Sequence, residues 1–421
     1  MDLLVELERR AGPQLMAARD IAGTLGSAGY RTWLVGGCVR DLMLGREVHD
    51  LDLAGPAPPE VVESLFPRTV AVGKAFGVVR VLAAGQDLEV ATFRTERGTL
   101  DGRRPEELHL VTTPAEDAER RDFTVNALYL DPLTGSLLDP VGGRDDLEDR
   151  VLRAVGRAED RFQEDGLRLL RMARFLASLD LRPAEGLLEA ATTCGATLAR
   201  ISPERVLDEL GKTARGGCPG RAIEVLGETG LLAQAFPHLG HSRLEASARA
   251  TLVEGLRASD LLLALLDLEP GVDGRERVLA DVLDALPLSR VERAHLRASW
   301  ARLEGLRALP TEAPSGVDHA ALARLLRGEP GRSALALLRA WARVSGSGEE
   351  LPDALESWAA ARDLDPAPLA AARDLLEAGC APGPELGSLL QGLEDEQLRG
   401  TIRDRGSALA WVRQRLDAGS Q

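Results

Sequence analysis

Along the first 150 positions, apolar residues fall in short runs that alternate with polar ones, the period of half-buried strands. Runs at 32–35, 51–53, 78–82, 88–93 and 125–130 predict strands, and stretches at 15–28 and 59–66 carry helical spacing. Strands and helices interleaved in this way predict an α+β domain on a mixed sheet. The turn-rich Asp139-Pro140-Val141-Gly142-Gly143 marks its end. Beyond it the two-residue period fades. Helical patterns follow, divided by Gly and Pro at 216–217, 270–271, 310–316, 346–348 and 382–384. Ser202-Pro203 reads as a helix start, with an N-cap serine and a first-turn proline. The expected organisation is a head at 1–149, a helical neck at 150–240, and a helical body and tail at 241–421 without a solenoid repeat.

Composition sharpens this picture. A chain of 421 residues exceeds one compact core. Aromatics make up 3%, while Leu, Ala, Arg and Glu abound, which favours helix. The net charge of −15 excludes a broad basic coat for nucleic acid, so any RNA contact is local. Lys74 and Lys212 are the only lysines, leaving 49 of the 51 basic residues as arginine, whose planar fork suits phosphates and base edges. Four scattered cysteines without a C-x-x-C pair fit free thiols in a reducing compartment. The N-terminal ten residues lack a signal-peptide core. The longest apolar run, 261–266, is too short to span a bilayer, so a soluble, cytoplasmic protein is expected.

The first candidate chemistry lies in Gly36-Gly37-Cys38-Val39-Arg40-Asp41 and, further on, Gly45 and Asp50-Leu51-Asp52. Glycines at a strand end let phosphates approach the backbone, and a helix predicted from Val39 adds N–H donors. Arg40, in the first turn of that helix, calls for an anion against the helix dipole. Asp50 and Asp52, two apart in a predicted strand, share a face and repel unless a cation intervenes. Two Mg²⁺ ions serve such a pair in nucleotidyl transfer, activating a 3′ hydroxyl and stabilising pyrophosphate. Glu89 is a candidate third carboxylate. A lone D-x-D is commonly a solvated strand end; the accompanying glycines and arginine favour a site.

Arg120-Arg121-Asp122-Phe123-Thr124-Val125-Asn126-Ala127 sets adjacent arginines beside hydrogen-bonding Asp122, Thr124 and Asn126, suited to triphosphate and ribose. Residues 160–177 predict one helix with apolar side chains nearly all round, and Arg168, Arg171 and Arg174 at every third position. Guanidiniums in so apolar a helix require anionic partners. Structural ion pairs, seeded by Glu164 and Arg168, would supply them. A functional arrangement is also available: Asp165 accepting from an exocyclic amine while Arg168 donates to the adjacent ring nitrogen. That pairing fits cytosine and adenine and rejects uracil and guanine without a template.

Taken together, these strings resemble the signatures of the class II nucleotidyltransferases, the tRNA nucleotidyltransferase and bacterial poly(A) polymerase family, over roughly residues 30–240. The resemblance implies that Asp50 and Asp52 are catalytic metal ligands for Mg²⁺. It implies that Gly37, Arg40, Arg121, Asp165, Arg168, Arg171 and Arg174 bind nucleotide. The segment 201–210 resembles the family's next motif, which supports the neck. Family members often have proline after the Glu-Asp pair, where Gly166 stands here. Implied partners are CTP, ATP and an RNA 3′ end, with an RNA-binding body and tail.

Three features bear on the family member. The polar, glycine-punctuated stretch 94–114 predicts a mobile loop, which the resemblance associates with enzymes that add the terminal A. His49-Asp50 is the sole His-Asp dipeptide, so a fused phosphohydrolase domain is not expected. The stretch 393–421 mixes acids with arginines instead of forming a basic tail, which favours a compact tRNA substrate. CCA or A addition to tRNA is the expected activity. A poly(A) polymerase, and a non-catalytic RNA-binding scaffold, are the rival readings.

Overall fold

The computed structural model describes residues 3–73, 77–99, 105–216, 218–235, 264, 279–281, 283–284, 286–347 and 349–419. The chain divides into two compact units, Met1–Gly240 and His241–Gln421.

The first unit opens with α1 (Leu3–Ser27), which breaks at Ala11, two residues before Pro13. The missing proline N–H and its clash with the preceding turn account for the break. The helical period seen at 15–28 is the second half of this longer helix. Its buried face, including Leu15, Ala18, Ile21 and Leu25, covers the sheet.

The sheet uses β1 (Trp33–Val35), β2 (Leu53–Gly55), β3 (Thr69–Gly73), β4 (Val78–Ala83), β5 (Gln86–Thr92), β8 (Tyr129–Leu130) and β9 (Leu137–Leu138). Among the described residues the order is β3-β4-β5-β2-β1-β8-β9. The β2–β5 pair is parallel and the other neighbours antiparallel, so the sheet is mixed, as expected. Trp33, Phe93 and Tyr129 pack at its centre, with ring centroids 5.7 and 6.1 Å apart. The expected strand at 125–130 survives only as β8; Thr124–Asn126 forms a short 3-10 turn.

The stretch 94–114 departs from the loop expected of it. β6 (Arg94–Thr99) and β7 (Pro105–Leu110) pair antiparallel, Arg94 opposite Leu110 and Thr99 opposite Pro105. Cross-strand bonding satisfies the backbone of these polar residues without a hydrophobic period, which is why the pattern concealed a hairpin. The centre of that stretch, 100–104, lies outside the described residues.

The helix expected at 59–66 is α3 (Pro59–Leu65), and α4 (Pro114–Glu119) follows β7, started by a Thr113–Glu116 capping box. Then come α5 (Gly143–Glu148), α6 (Ala158–Glu164), α7 (Leu167–Ser178), α8 (Leu187–Cys194), α9 (Pro203–Arg215) and α10 (Pro219–Glu228). α9 starts at Pro203 as expected, though the Ser202 side chain makes no capping bond.

The second unit is helical where described. Helices Arg290–Arg307 and Gly328–Ser345 pack together, and a further core gathers Leu375, Leu389, Leu393, Ala408 and Val412. Helices end near the predicted breaks at 310–316, 346 and 382–384; Pro270-Gly271 and all but Ala264 of the apolar run 261–266 lie outside the described residues. No helix among the described residues is long and apolar enough to cross a membrane. The four cysteines are unpaired.

Candidate active site

β1 runs into Gly36, whose φ of 75° and ψ of −130° suit glycine alone. The turn starts α2 (Gly37–Met43) two residues earlier than the Val39 start read from the sequence. Arg40 is buried, and its compensating anion is its own neighbour. Nε and Nη2 donate to the Asp41 carboxylate at 2.9 and 2.8 Å, and Nη1 donates to the Asn126 side-chain oxygen at 2.6 Å.

Residues 46–52 then run without helix or strand, so Asp50 and Asp52 precede β2 instead of lying in a strand. The alternation that placed them on one face persists: Leu51 is buried between two exposed aspartates. The Asp52 carbonyl accepts from the Val35 amide at 3.0 Å, which fastens this segment to β1. Leu53 stands opposite Val90 in the parallel β2–β5 pair, bringing exposed Glu89 alongside Asp52.

Burial, then the Glu89 and Asp50 carboxylates, push the Asp52 carboxyl up to about 6, with Arg121 opposing them. Exposed oxygen donors carrying uncompensated negative charge suit a hard divalent cation. Mg²⁺ typically takes one or two carboxylates and completes its shell with water and substrate phosphate. Among the described residues no group of three or more His, Cys, Asp or Glu side chains is arranged to hold a metal ion. The available donor set is thus the Asp50–Asp52 pair, and Glu89 contributes charge without closing a cage.

The second motif sits behind this pair. Arg121 donates to Asp117 from Nε and Nη2 at 3.2 and 3.0 Å, to the Tyr129 hydroxyl at 3.0 Å and to the Asn126 carbonyl at 3.2 Å. Asp117 is fully buried, also pairs with Arg120 at 2.7 Å, and stays below the ordinary carboxylate range because the two arginines overcome its desolvation. Asp122 accepts from the Asn126 amide at 3.1 Å and from Arg171 at 2.7 Å. Burial opposes its charge, but Arg171, Asn126 and Arg168 prevail and hold it at about 2.

Residues 160–177 do not form the single helix read from the sequence. α6 ends at Glu164, Asp165 is extended at φ −149° and ψ 105°, and α7 starts at Leu167. A Cβ on Gly166 would lie 2.7 Å from the Thr197 carbonyl oxygen, so the chain passes too close for any larger residue. That close approach gives a physical reason for glycine at this break.

The break redirects the proposed base-reading pair. Arg205 of α9 binds both Asp165 oxygens at 3.1 and 2.6 Å, and the Leu167 amide donates to one of them at 3.0 Å. Arg168 donates to Glu164 at 2.6 Å and to the carbonyls of Arg161 and Arg120 at 3.1 and 2.8 Å. Asp165 and Arg168 are each half-buried and engaged by the protein itself.

Along α7, Arg171 pairs with Asp122, and Arg174 with the buried Glu209 of α9. The guanidiniums of Arg40, Arg171 and Arg174 lie 5.1, 5.2 and 4.2 Å from the Phe175 ring centre. The expected structural ion pairs are therefore present, Glu164–Arg168 among them. All three motifs meet: Arg40 joins Asn126, Asn126 joins Asp122, Asp122 joins Arg171, and Arg121 connects this network electrostatically to Asp52.

Sequence reasoning missed Asp117, Arg205, Glu209 and Phe175 as members of the network. The available signal was charge balance, since each buried arginine demands an acid and the unassigned acids of α4 and α9 were the nearest supply.

Residues 32–153 match the family described as the Poly A polymerase head domain. Residues 180–241 match the family described as the Probable RNA and SrmB- binding site of polymerase A. The chain is 45% identical over 230 residues to the CCA-adding enzyme of Bacillus pumilus, covering 55% of this chain and 57% of that one. The match thus spans little more than half the length of that relative. It is 32% identical over 401 residues to the CCA-adding enzyme of Levilactobacillus brevis, covering 93% of this chain and 96% of that one. Its fold matches the crystal structure of the Bacillus stearothermophilus CCA-adding enzyme in complex with CTP, with a TM-score of 0.73 and 30% identity over 97% of this chain and 99% of that one.

Proposed function

The chain belongs to the CCA-adding enzyme family, and on that premise we propose that it adds CMP and AMP to the 3′ end of tRNA without a nucleic-acid template. In each step the 3′ hydroxyl oxygen attacks the α-phosphorus of CTP or ATP, the bond to the bridging oxygen breaks, pyrophosphate leaves and the hydroxyl proton is released. The observation that carries this reading is the exposed Asp50–Asp52 pair beside an arginine network reached through Arg121.

Asp50 and Asp52 would hold Mg²⁺, which when bound neutralises charge at the transferred phosphate and favours deprotonation of the attacking hydroxyl. Gly36 and Gly37 let the Arg121 and Arg40 guanidiniums lie close to the backbone at the end of β1. Arg40, Arg171 and Arg174 hold the site's walls through Asp41, Asn126, Asp122 and Glu209. Arg121 presents positive charge toward Asp52 and the phosphates. Asp165 and Arg168 read the base edge by exchanging their contacts with Arg205, Glu164 and the two carbonyls for contacts with the nucleotide. A cytoplasmic location belongs to the same proposal.

The test is incubation with tRNA lacking CCA, and with CC-ended tRNA, in the presence of each nucleoside triphosphate. CTP and ATP incorporation that stops at CCA is expected. Long A tails would replace the reading with poly(A) polymerase, and absence of incorporation with a non-catalytic scaffold.

A further inference from the structure

The segment that bears the two aspartates lacks helix and strand from 46 to 52. Short irregular loops move unless something outside them supplies contacts. Besides the Val35–Asp52 bond to β1, such contacts come from α1. Arg10 donates from Nη1 to the Gly45 and Arg46 carbonyls at 3.0 and 2.5 Å, and Gln14 donates to the His49 carbonyl at 2.8 Å. Glu6 fixes the Arg10 fork through Nε at 2.5 Å. The break at Ala11 falls between the two donors, so Arg10 and Gln14 address the two ends of the segment 45–49. The Arg46 side chain in turn donates to the Ser178 carbonyl at 2.5 Å, at the end of α7.

We propose that Arg10 and Gln14 of the N-terminal helix are positioning residues, fixing Asp50 and Asp52 through the main-chain carbonyls of Gly45, Arg46 and His49. The inference rests on the reading of Asp50 and Asp52 as metal ligands. Neither residue touches nucleotide or RNA in this role. A small displacement of metal-binding carboxylates costs rate more than it costs nucleotide affinity.

Arg10→Met and Gln14→Leu, in the full chain, remove these bonds while keeping side-chain bulk. With CTP and tRNA lacking CCA, kcat is expected to fall about tenfold in each, with KM for CTP within about twofold. Mn²⁺ binding without nucleotide, followed by electron paramagnetic resonance, weakens in parallel. Amide exchange at Leu44, Gly45 and Arg46, whose N–H groups bond to the carbonyls of Arg40, Leu42 and Asp41, speeds up. Arg10→Lys restores most of kcat, and Arg9→Met, whose guanidinium pairs with Glu6, changes none of these readings.

Unchanged kcat and unchanged Mn²⁺ binding in both variants would overturn the proposal. So would a loss of kcat matched by equal losses in CTP affinity and thermal stability, which marks a merely structural helix. If the unaltered protein incorporates no nucleotide, the functional reading fails instead. The exchange measurement then decides the positioning claim alone: acceleration at 44–46 supports it and unchanged rates refute it.

Discussion

The aspartate-bearing segment and the arginine layer along α7 meet at Arg121, yet they treat charge in opposite ways. In the layer, Arg40, Arg121, Arg168, Arg171 and Arg174 each face an acid of the protein, and Asp117, Asp122 and Glu209 are buried to serve them. In the segment, Asp50 and Asp52 crowd one another and Glu89 of the adjoining β5, and burial together with these like charges makes Asp52 hold its proton more tightly than an ordinary carboxyl. Charge neutralised inside the fold reads as architecture. Charge left in excess at the surface marks the place where something from outside must supply the opposite sign. By this criterion the aspartates are the part of the molecule we propose to take a ligand, and most of the arginines hold the frame around it.

The sharpest way to break this contrast is to remove the segment's charge. Asp50→Ala and Asp52→Asn are expected to lower nucleotide incorporation by about a thousandfold or more, because metal-assisted stabilisation of the transferred phosphate is lost. Asp52→Asn also relieves repulsion with Asp50 and Glu89, so thermal unfolding of the metal-free protein moves to higher temperature. Turnover close to normal, or a lowered melting temperature, would refute the assignment.

The layer responds with the opposite sign. Arg171→Met leaves Asp122 buried without its main partner and is expected to cost about 3 kcal/mol of stability in urea denaturation. The pH dependence follows from Asp122, held at about 2 against an ordinary 3.8. A depressed carboxyl stabilises the fold fully above the ordinary value and loses that contribution as pH falls toward about 2. In Asp122→Asn, therefore, the stability deficit at neutral pH narrows steadily across acid titration. A deficit independent of pH would show that its charge contributes nothing.

How much of this was legible beforehand follows the same division. The glycine turn, the D-x-D pair and the R-R-D-F-T-V-N string are local, so their residue types and spacing exposed them, as did the strands at 32–35, 78–82 and 88–93. The break inside 160–177 was hidden, because the close approach of the Thr197 carbonyl that demands glycine there comes from 31 positions away. The β6–β7 hairpin was hidden too, since its pairing satisfies polar residues that carry no alternating apolar face. The Asp165–Arg205 and Arg174–Glu209 pairs join residues 40 and 35 positions apart. Chemistry carried by adjacent residues can be read from a string; partners supplied by tertiary contact cannot.

Gly166→Ala probes the smaller of these hidden constraints. The added methyl must displace either the start of α7 or the Thr197 backbone, at an expected cost of about 1–3 kcal/mol. Because the shift carries Asp165 with it, the ratio of CTP and ATP to UTP and GTP use should fall together with stability. A variant as stable as the parent would show that the backbone gives way freely.

The finest distinction concerns Asp165, which the comparison leaves between the two regions: paired like the layer, yet half-exposed and next to Arg168. If Asp165 is purely structural, Arg205→Met removes its partner, lowers stability and leaves base choice alone. If Asp165 exchanges partners to read the base, Arg205 competes with the nucleotide for the same two oxygens. Removing it then strengthens Asp165 as an acceptor but frees its orientation. The expected outcome of Arg205→Met is a lower KM for CTP together with a drop of about threefold to tenfold in discrimination against UTP, equivalent to roughly 0.7–1.4 kcal/mol. Misincorporation assays with all four triphosphates separate the cases. Unchanged discrimination at reduced stability would place Asp165 with the frame and leave base reading to Arg168 and its carbonyl-bound fork.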